Sequence, residues 1–416
     1  MSLLSEFGLH IQQVRQLLAG VTKHTPLQLN HNLSAQYKAN IYLKREDLQA
    51  VRSYKLRGAH NMICQLSSDE LQRGVVCASA GNHAQGFAYS CHRLGIRGVV
   101  FMPKVTPKQK IQQTKRFGKD NVVIRLMGDT YDDCAEAAMS YSQSQQMTFI
   151  PPFDNTRIIE GQGTVGAELL EDLPNIDIIF VPVGGGGLCA GLGAYVKDHS
   201  PHTTIIGVEP QGAPAMKAAF EAGKPVTLEH IERFIDGAAV KRVGDLTYRI
   251  CSKVVDDICL VPEGKVCSTI LKLYNEDAIV AEPAGALSIA ALDDYADMIK
   301  GKNVVCIVSG SNNDIDRMQE IKERSLLFER LKHYFLIRFA QRPGALKDFV
   351  NKVLGPNDDI VRFEYMKKTN KDDGPALVGV ELNSAHDYAT LIERLKEYHF
   401  DFTALAEDDD LFAYIV

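Results

Sequence analysis

Between about residues 40 and 310, short apolar runs alternate with segments of helical period. The runs are Asn40 to Leu43, Gly74 to Ala78, Val99 to Met102, Asn121 to Leu126, Thr148 to Ile150, Ile176 to Val183, Thr204 to Val208 and Asn303 to Val308. Rich in Val and Ile with few polar interruptions, they predict strands covered on both faces. Their alternation with helices predicts a parallel, doubly wound α/β architecture. Asp314 to Glu329 reads as a charged, helix-prone connector, and a different pattern begins at His333. Strand-like His333 to Ala340, helix-like Gly344 to Leu354, strands Asp359 to Lys367 and Ala376 to Leu382, helix Ser384 to His399 and strand Asp401 to Ala406 give the order βαββαβ. That order is a ferredoxin-like split unit. The expected division is a larger domain over 1–328 and a smaller one over 333–407. The acidic run Glu407 to Asp410 reads as a solvated turn.

With 416 residues, 45% of them hydrophobic, the chain can bury a large core. No stretch reaches the roughly 18 to 20 apolar residues of a membrane span. Met1 to Gln12 lacks the basic-then-apolar order of a signal peptide. A net charge of -6, with the signs mixed, offers no basic run for nucleic acid or a membrane surface, so small anionic or zwitterionic partners are expected. Nine cysteines, odd in number and without a Cys-x-x-Cys pair, read as buried, reduced thiols of a cytoplasmic protein. The histidines do not fall at metal spacings, Cys91-His92 reads as packing, and no metal is expected.

The tetraglycine run Gly184, Gly185, Gly186, Gly187 follows the apolar stretch Ile176 to Val183 and leads into Leu188. Without Cβ atoms the backbone amides can close around a phosphate, and a following helix N-terminus adds partial positive charge. No lysine sits in the loop, which excludes a Walker A sequence. A dinucleotide reading survives locally. Gly185-x-Gly187-x-x-Ala190 fits the Rossmann fingerprint, and Glu209 ends the next apolar run where a ribose-binding acid would stand. A second match, Gly161-x-Gly163-x-x-Gly166, follows the polar segment Asp154 to Glu160 instead of a strand and reads as a false match.

Three further clusters bear on which phosphate is held. The first is Lys44-Arg45-Glu46-Asp47-Leu48 with Ser53-Tyr54-Lys55-Leu56-Arg57-Gly58-Ala59. Lys55 opens a helix there, and desolvation with neighbouring cations would lower its pKa enough for imine formation. The second is Ser79-Ala80-Gly81-Asn82-His83-Ala84-Gln85-Gly86, whose bland reading is helix capping by Ser or Asn. The third is Ser309-Gly310-Ser311-Asn312-Asn313-Asp314, after the run Asn303 to Val308.

Together with the four glycines, these motifs resemble, in order and over residues from about 20 to 320, the fold-type II pyridoxal-phosphate enzymes (tryptophan synthase β-like), specifically the threonine and serine dehydratases. The C-terminal unit, with Gln341-Arg342-Pro343-Gly344-Ala345-Leu346, resembles the ACT-like regulatory domain of biosynthetic threonine deaminases. The resemblance implies two doubly wound subdomains and pyridoxal 5'-phosphate as cofactor. It implies that Lys55 forms the imine, Asn82 bonds the cofactor's phenolic oxygen, Gly184 to Leu188 hold its phosphate, and Ser309 faces the pyridine nitrogen. Ser79, Ala80, Gly81, Asn82 and His83 would hold the substrate carboxylate. Glu282, in Ala281-Glu282-Pro283-Ala284-Gly285, resembles the family's pocket-side acid, with a helix cap as the comparable structural reading. Ala50, Arg52, Tyr54 and Ser311 depart from residues common at the matching places.

The activity so implied is β-elimination of water from L-threonine, or from L-serine, with release of ammonia. The appended unit favours a committed biosynthetic step under feedback by isoleucine in a homotetramer. A serine dehydratase or racemase on the same scaffold, and a non-catalytic amino-acid sensor, are the alternatives. Intact Lys55, Asn82 and Ser309 argue against the sensor, and a nicotinamide dehydrogenase leaves Lys55 and Ser309 unexplained.

Overall fold

The computed structural model describes residues 3–369, 371–406 and 412, with side chains from residue 7 onward; the run Glu407 to Asp410 lies outside them. The strands are β1 (Leu27–Leu29), β2 (Asn40–Arg45), β3 (Val75–Ala78), β4 (Gly98–Met102), β5 (Val122–Leu126), β6 (Thr148–Phe149), β7 (Ile178–Pro182), β8 (Thr204–Pro210), β9 (Asp257–Val261), β10 (Asn303–Val308), β11 (Lys332–Ala340), β12 (Asp359–Tyr365), β13 (Asp373–Glu381) and β14 (Asp401–Leu405). Two compact units contain them, Met1–Arg317 and Met318–Val416.

The first unit holds two sheets. One has six strands in the order β1-β2-β10-β7-β8-β9 and is parallel except for β1; the other has four parallel strands in the order β5-β4-β3-β6. Every residue of β3, β4 and β7 is buried, as continuous apolar runs demand of strands with helices on both faces. The strand Asn121 to Leu126, expected to be covered on both faces, proves to be an edge. In β5 Val123 is 51% exposed and Leu126 45%. Two edge strands are absent from those apolar runs: β1 has only three residues, too few to carry a period, and β9 opens on the exposed Asp257.

The false glycine match explains itself in packing. Gly161, Gly163 and Gly166 lie inside the helix Thr156–Asp172, which crosses the helix Gly187–His199. A Cβ on Gly191 would meet the Ile159 carbonyl and stand 2.7 Å from the Gly163 nitrogen. Gly163 and Gly166 therefore let these two helix backbones touch, while Gly161 faces the backbone of Arg57 and Gly58, so packing accounts for all three glycines.

In the second unit β12-β13-β11-β14 form an antiparallel sheet, and the helices Ala345–Lys352 and Asp387–Glu397 fall between strands to give βαββαβ. Phe335, Ile337, Phe339, Val378 and Val380 pack with Phe349, Leu391 and Leu395 from those helices. Leu327, from the helix Met318–Phe328, packs with Tyr334 and Leu377, so the charged connector read from the sequence belongs to this unit. No helix among the described residues is long and apolar enough to cross a membrane.

Gly191→Ala is expected to cost about 1 to 3 kcal/mol of stability, because the added methyl meets backbone that cannot swing aside. A lower midpoint in urea denaturation checks it, and an unchanged midpoint would mean that the two helices part freely.

Candidate active site

Lys55 opens the helix Lys55–Cys64, and that helix is fixed from behind by a buried charge network. The Arg57 guanidinium meets Glu46 at 2.7 Å and Glu168 at 2.6 Å, and Lys44, fully buried in β2, meets Glu168 at 2.7 Å. Desolvation pulls the Arg57 pKa down, yet Glu46 and Glu168 outweigh it and hold the value above the ordinary one. Desolvation likewise opposes ionisation of Glu168, but Arg57 and Lys44 keep its carboxyl below the usual range. Arg57 and the charges of its motif thus serve as an anchor for the helix.

The Lys55 amine donates to the Pro152 carbonyl at 2.9 Å. Desolvation lowers its pKa from 10.5 to about 8, against the opposing pull of Glu282. Neighbouring cations, expected from the sequence to contribute, are not among the causes: the nearby ionised group is acidic. Next along the chain from Pro152, Phe153 fills the space where a Cβ on Gly185 would fall and stands 3.0 Å from one on Gly187. Gly186 has φ +93°, and the Ala238 backbone approaches to 2.9 Å from a Cβ placed on Gly184. The Thr247 hydroxyl donates to the Gly185 carbonyl at 2.7 Å. With Gly187 and Leu188 opening the helix Gly187–His199, the loop has the close backbone and the helix N-terminus that an anion cradle requires. Side chains would obstruct this loop, and a phosphate fits its chemistry.

Glu282 precedes the helix Pro283–Ala290 but makes no side-chain cap bond, which removes the capping alternative. Its carboxylate instead accepts from Asn82 Nδ2 at 2.6 Å. Burial raises its pKa to about 7, with Asp236 adding to the rise. Asn312 Nδ2 donates to Asn82 Oδ1 at 2.5 Å and to the Val51 carbonyl at 3.0 Å. A Cβ on Gly310 would strike Glu282 Oε1, so the glycine after Ser309 is what admits the acid. Ser309 is buried, and its hydroxyl donates to the Ala284 carbonyl at 3.2 Å. The Tyr54 N–H donates to the Ser309 carbonyl at 3.2 Å and the Ser311 N–H to the Arg52 carbonyl at 2.9 Å, which ties the Lys55 segment to the Ser309 segment.

Gly81 and Asn82 form the start of the helix Asn82–Leu94 without a side-chain cap; the Ser79 hydroxyl accepts from the Gly81 N–H at 3.2 Å, and Ala80 lies half-buried between them. The capping reading of Ser79 and Asn82 therefore fails. His83 is buried, its Nε2–H donates to the Ile150 carbonyl at 3.0 Å, and burial beside Lys55 holds its pKa down to about 3. It is a neutral residue of the Lys55 neighbourhood. Glu209 stands apart. Fully buried, it accepts from the N–H groups of Met216 at 2.7 Å and Lys217 at 2.8 Å, so the helix Ala215–Ala222 consumes the acid that a ribose would need. Of the nine cysteines all are free and all but half-buried Cys64 are buried.

Sequence reasoning gave no role to Asn312, Phe153, Thr247 or Asp236. Asn312 was within reach, because it follows a strand in a polar motif; Thr247 lies on the buried face of the helix Asp245–Val254, where it reads as core, and Phe153 and Asp236 lie in irregular chain that only the fold brings to the site.

Residues 18–310 match the family of pyridoxal-phosphate dependent enzymes, and residues 323–415 match the C-terminal regulatory domain of threonine dehydratase. The chain belongs to the pyridoxal-phosphate dependent enzymes, with the fold-type II α/β architecture expected from the resemblance. It is 56% identical to L-threonine dehydratase biosynthetic IlvA of Halalkalibacterium halodurans over 96% of this chain and 97% of that one. It is also 56% identical to the protein of that name from Bacillus subtilis, over 98% and 97%. The processed form of threonine deaminase isoform 2 from Solanum lycopersicum superposes with a TM-score of 0.74 at 39% identity, covering 78% of this chain and 88% of that one. Its place within the class is therefore among the biosynthetic L-threonine dehydratases, as the motifs implied.

The raised pKa of Glu282 has a consequence for stability. Between about pH 4.5, where an exposed carboxyl titrates, and about 7 the folded chain binds more protons at this site than the unfolded one. Glu282 therefore makes stability fall as pH rises through that window. Glu282→Gln keeps an oxygen for Asn82 and removes the titration. Its stability relative to the parent is expected to improve from pH 5 to pH 8, as urea midpoints of both proteins at the two values would report; a constant difference would mean that Glu282 titrates normally.

Proposed function

We propose that the chain converts L-threonine to 2-oxobutanoate and ammonia as the committed step of isoleucine synthesis, that it also accepts L-serine, and that it works as a cytoplasmic homotetramer inhibited by isoleucine. The observation that carries the catalytic part is the desolvated Lys55 amine, its pKa near 8, held at the Pro152 carbonyl beside the four-glycine cradle.

Pyridoxal phosphate, when bound, supplies a carbonyl for the amine and a conjugated electron sink at the substrate Cα. Gly184, Gly185, Gly186, Gly187 and Leu188 would hold its phosphate, Asn82 its phenolic oxygen, and Ser309 its ring nitrogen. Lys55 serves as the base at Cα, since an amine with a pKa near 8 is partly neutral at neutral pH. Ser79 to His83 would receive the substrate carboxylate, with Glu282 bounding the pocket. A serine hydroxyl gives the ring nitrogen no negative charge, and this favours loss of the β-hydroxyl over reactions that need a long-lived carbanion. The hydroxyl leaves as water, and hydrolysis of the resulting 2-aminocrotonate consumes one water to give 2-oxobutanoate and ammonia.

Support for the regulatory part comes from the second unit. Gly344, at φ +84°, leads into the helix Ala345–Lys352, and Arg342 Nη2 meets Asp348 at 2.5 Å. Isoleucine would place its carboxylate at this turn, in competition with Asp348 for Arg342. Inhibition then requires that it bind one global state better than the other, typically by about 1 to 3 kcal/mol.

Borohydride reduction of the yellow holoenzyme is expected to fix the cofactor on the peptide containing Lys55; label on another lysine would overturn the assignment. Ketoacid formation from threonine is expected to exceed that from serine and to fall on addition of isoleucine. A chain ending at Arg317 is expected to keep turnover and lose the response. Equal inhibition of both forms, fully reversed by threonine, would put isoleucine in the catalytic pocket.

A further inference from the structure

Two sets of contacts join the four-stranded lobe to the six-stranded lobe around Glu282. The inner set is Asn82, on the helix that follows β3, with Glu282 and Asn312. The outer one is an ion pair between Lys110, on the helix Lys108–Gly118 that follows β4, and Asp236. Asp236 belongs to a loop with two further attachments. A Cβ placed on Gly237 would stand 3.8 Å from Glu282 Oε1, and the Ala238 backbone lies against Gly184 of the cradle. Arg317 holds the loop from outside: its Nη2 donates to the Phe234 carbonyl at 2.6 Å, its guanidinium lies 5.0 Å from the Phe234 ring centroid, and its Nη1 stands 3.6 Å from Asp236. Phe234 and Ile235 are buried, so the loop has a fixed base from which Asp236 projects.

We propose that Lys110 and Asp236 are positioning residues, a latch that holds the four-stranded lobe against the loop bounding both the glycine cradle and Glu282 and thereby sets the spacing of Asn82 and Glu282. The proposal rests on the reading of Glu282 as a pocket residue. Asn82 travels with the four-stranded lobe and Glu282 with the six-stranded one, so their 2.6 Å contact lasts only while the lobes stay together. The latch is also placed to act electrostatically. Asp236 raises the Glu282 pKa and Lys110 lowers it, while Tyr54, Lys55, Asn82 and the Asn312 N–H are the other groups that face the carboxylate. With side chains 18% and 40% exposed, the pair is partly screened and therefore sensitive to salt.

The test compares the holoenzyme with Lys110→Met, Asp236→Asn and the exchanged pair Lys110→Asp with Asp236→Lys. Threonine turnover is measured beside equilibrium binding of L-2-aminobutyrate, which has no β-hydroxyl to lose. Each single variant is expected to raise KM and weaken analogue binding about two- to fivefold at low salt, the range of a partly exposed ion pair, with less change in kcat. The exchanged pair should regain only part of the loss, because a lysine at 236 also faces the Arg317 guanidinium, and added salt should bring the parent toward the single variants. The limb of the pH profile that reports Glu282 should rise for Lys110→Met and fall for Asp236→Asn, opposite movements that a general loss of stability does not produce. A limb that moves the same way in both variants, or binding indifferent to charge and salt, overturns the latch. Should the parent fail to turn over threonine while analogue binding follows the charges, the functional reading falls and the latch stands.

Discussion

The structure depends on a guanidinium that water cannot reach. Arg57 lies two residues beyond Lys55 and is shared between Glu46, in the turn after β2, and Glu168, on the helix Thr156–Asp172; Lys44 completes the group. Burying such charges is costly, and a network of this kind is weak evidence of net stability. Its value lies in direction. A planar, five-donor group between two carboxylates allows few arrangements, and each partner belongs to a different element. Strand β2, the Lys55 helix and the helix behind it are therefore fixed in register, and the Lys55 amine, outside the network, reaches the Pro152 carbonyl.

Close approach of backbone is the second constraint, and glycine supplies it in two different ways. In the helix pair Thr156–Asp172 and Gly187–His199, glycines face each other and remove the side chains that would separate the axes. In the loop Gly184 to Gly187 they leave amides bare above a helix N-terminus, while Phe153, Ala238 and Thr247 close the loop from its sides. The same residue type serves packing in one case and leaves an open loop fit for an anion in the other, so a glycine pattern alone cannot separate the two. Gly161-x-Gly163-x-x-Gly166 fits a dinucleotide signature better than the loop Gly184 to Gly187 does.

What the sequence made legible follows the strength of local signals. Buried parallel strands such as β3, β4 and β7 read clearly because both faces need apolar residues. Edges did not: β5 carries Val and Ile although half of it faces solvent, β1 is too short to display a period, and β9 opens on an exposed aspartate. Lys55, Asn82 and Ser309 stood out because dense motifs surround them. Glu282 was ambiguous, since an acid before Pro283 is an ordinary helix start, and only its bond to Asn82, 200 positions away, decides against a cap. Asp236 and Phe153 sit in irregular chain, where nothing in the neighbouring residues points across the cleft.

Lys55, His83 and Glu282 also show how one enclosed site separates charge states by environment. Desolvation acts on all three in the direction of neutrality, lowering the amine to about 8 and the imidazole to about 3 while raising the carboxyl to about 7. His83 is thus held neutral, and its Nε2–H is spent on the Ile150 carbonyl. The two groups that remain adjustable near neutral pH are Lys55 and Glu282, and the acid favours the charged form of the amine. A site with one titrating amine and one titrating acid, and with a hydroxyl in the remaining polar position, has the means to move a single proton at a time. That suits an elimination, in which a proton and a hydroxyl leave neighbouring carbons, and it makes the spacing of these few groups, more than their number, the quantity the two lobes must control.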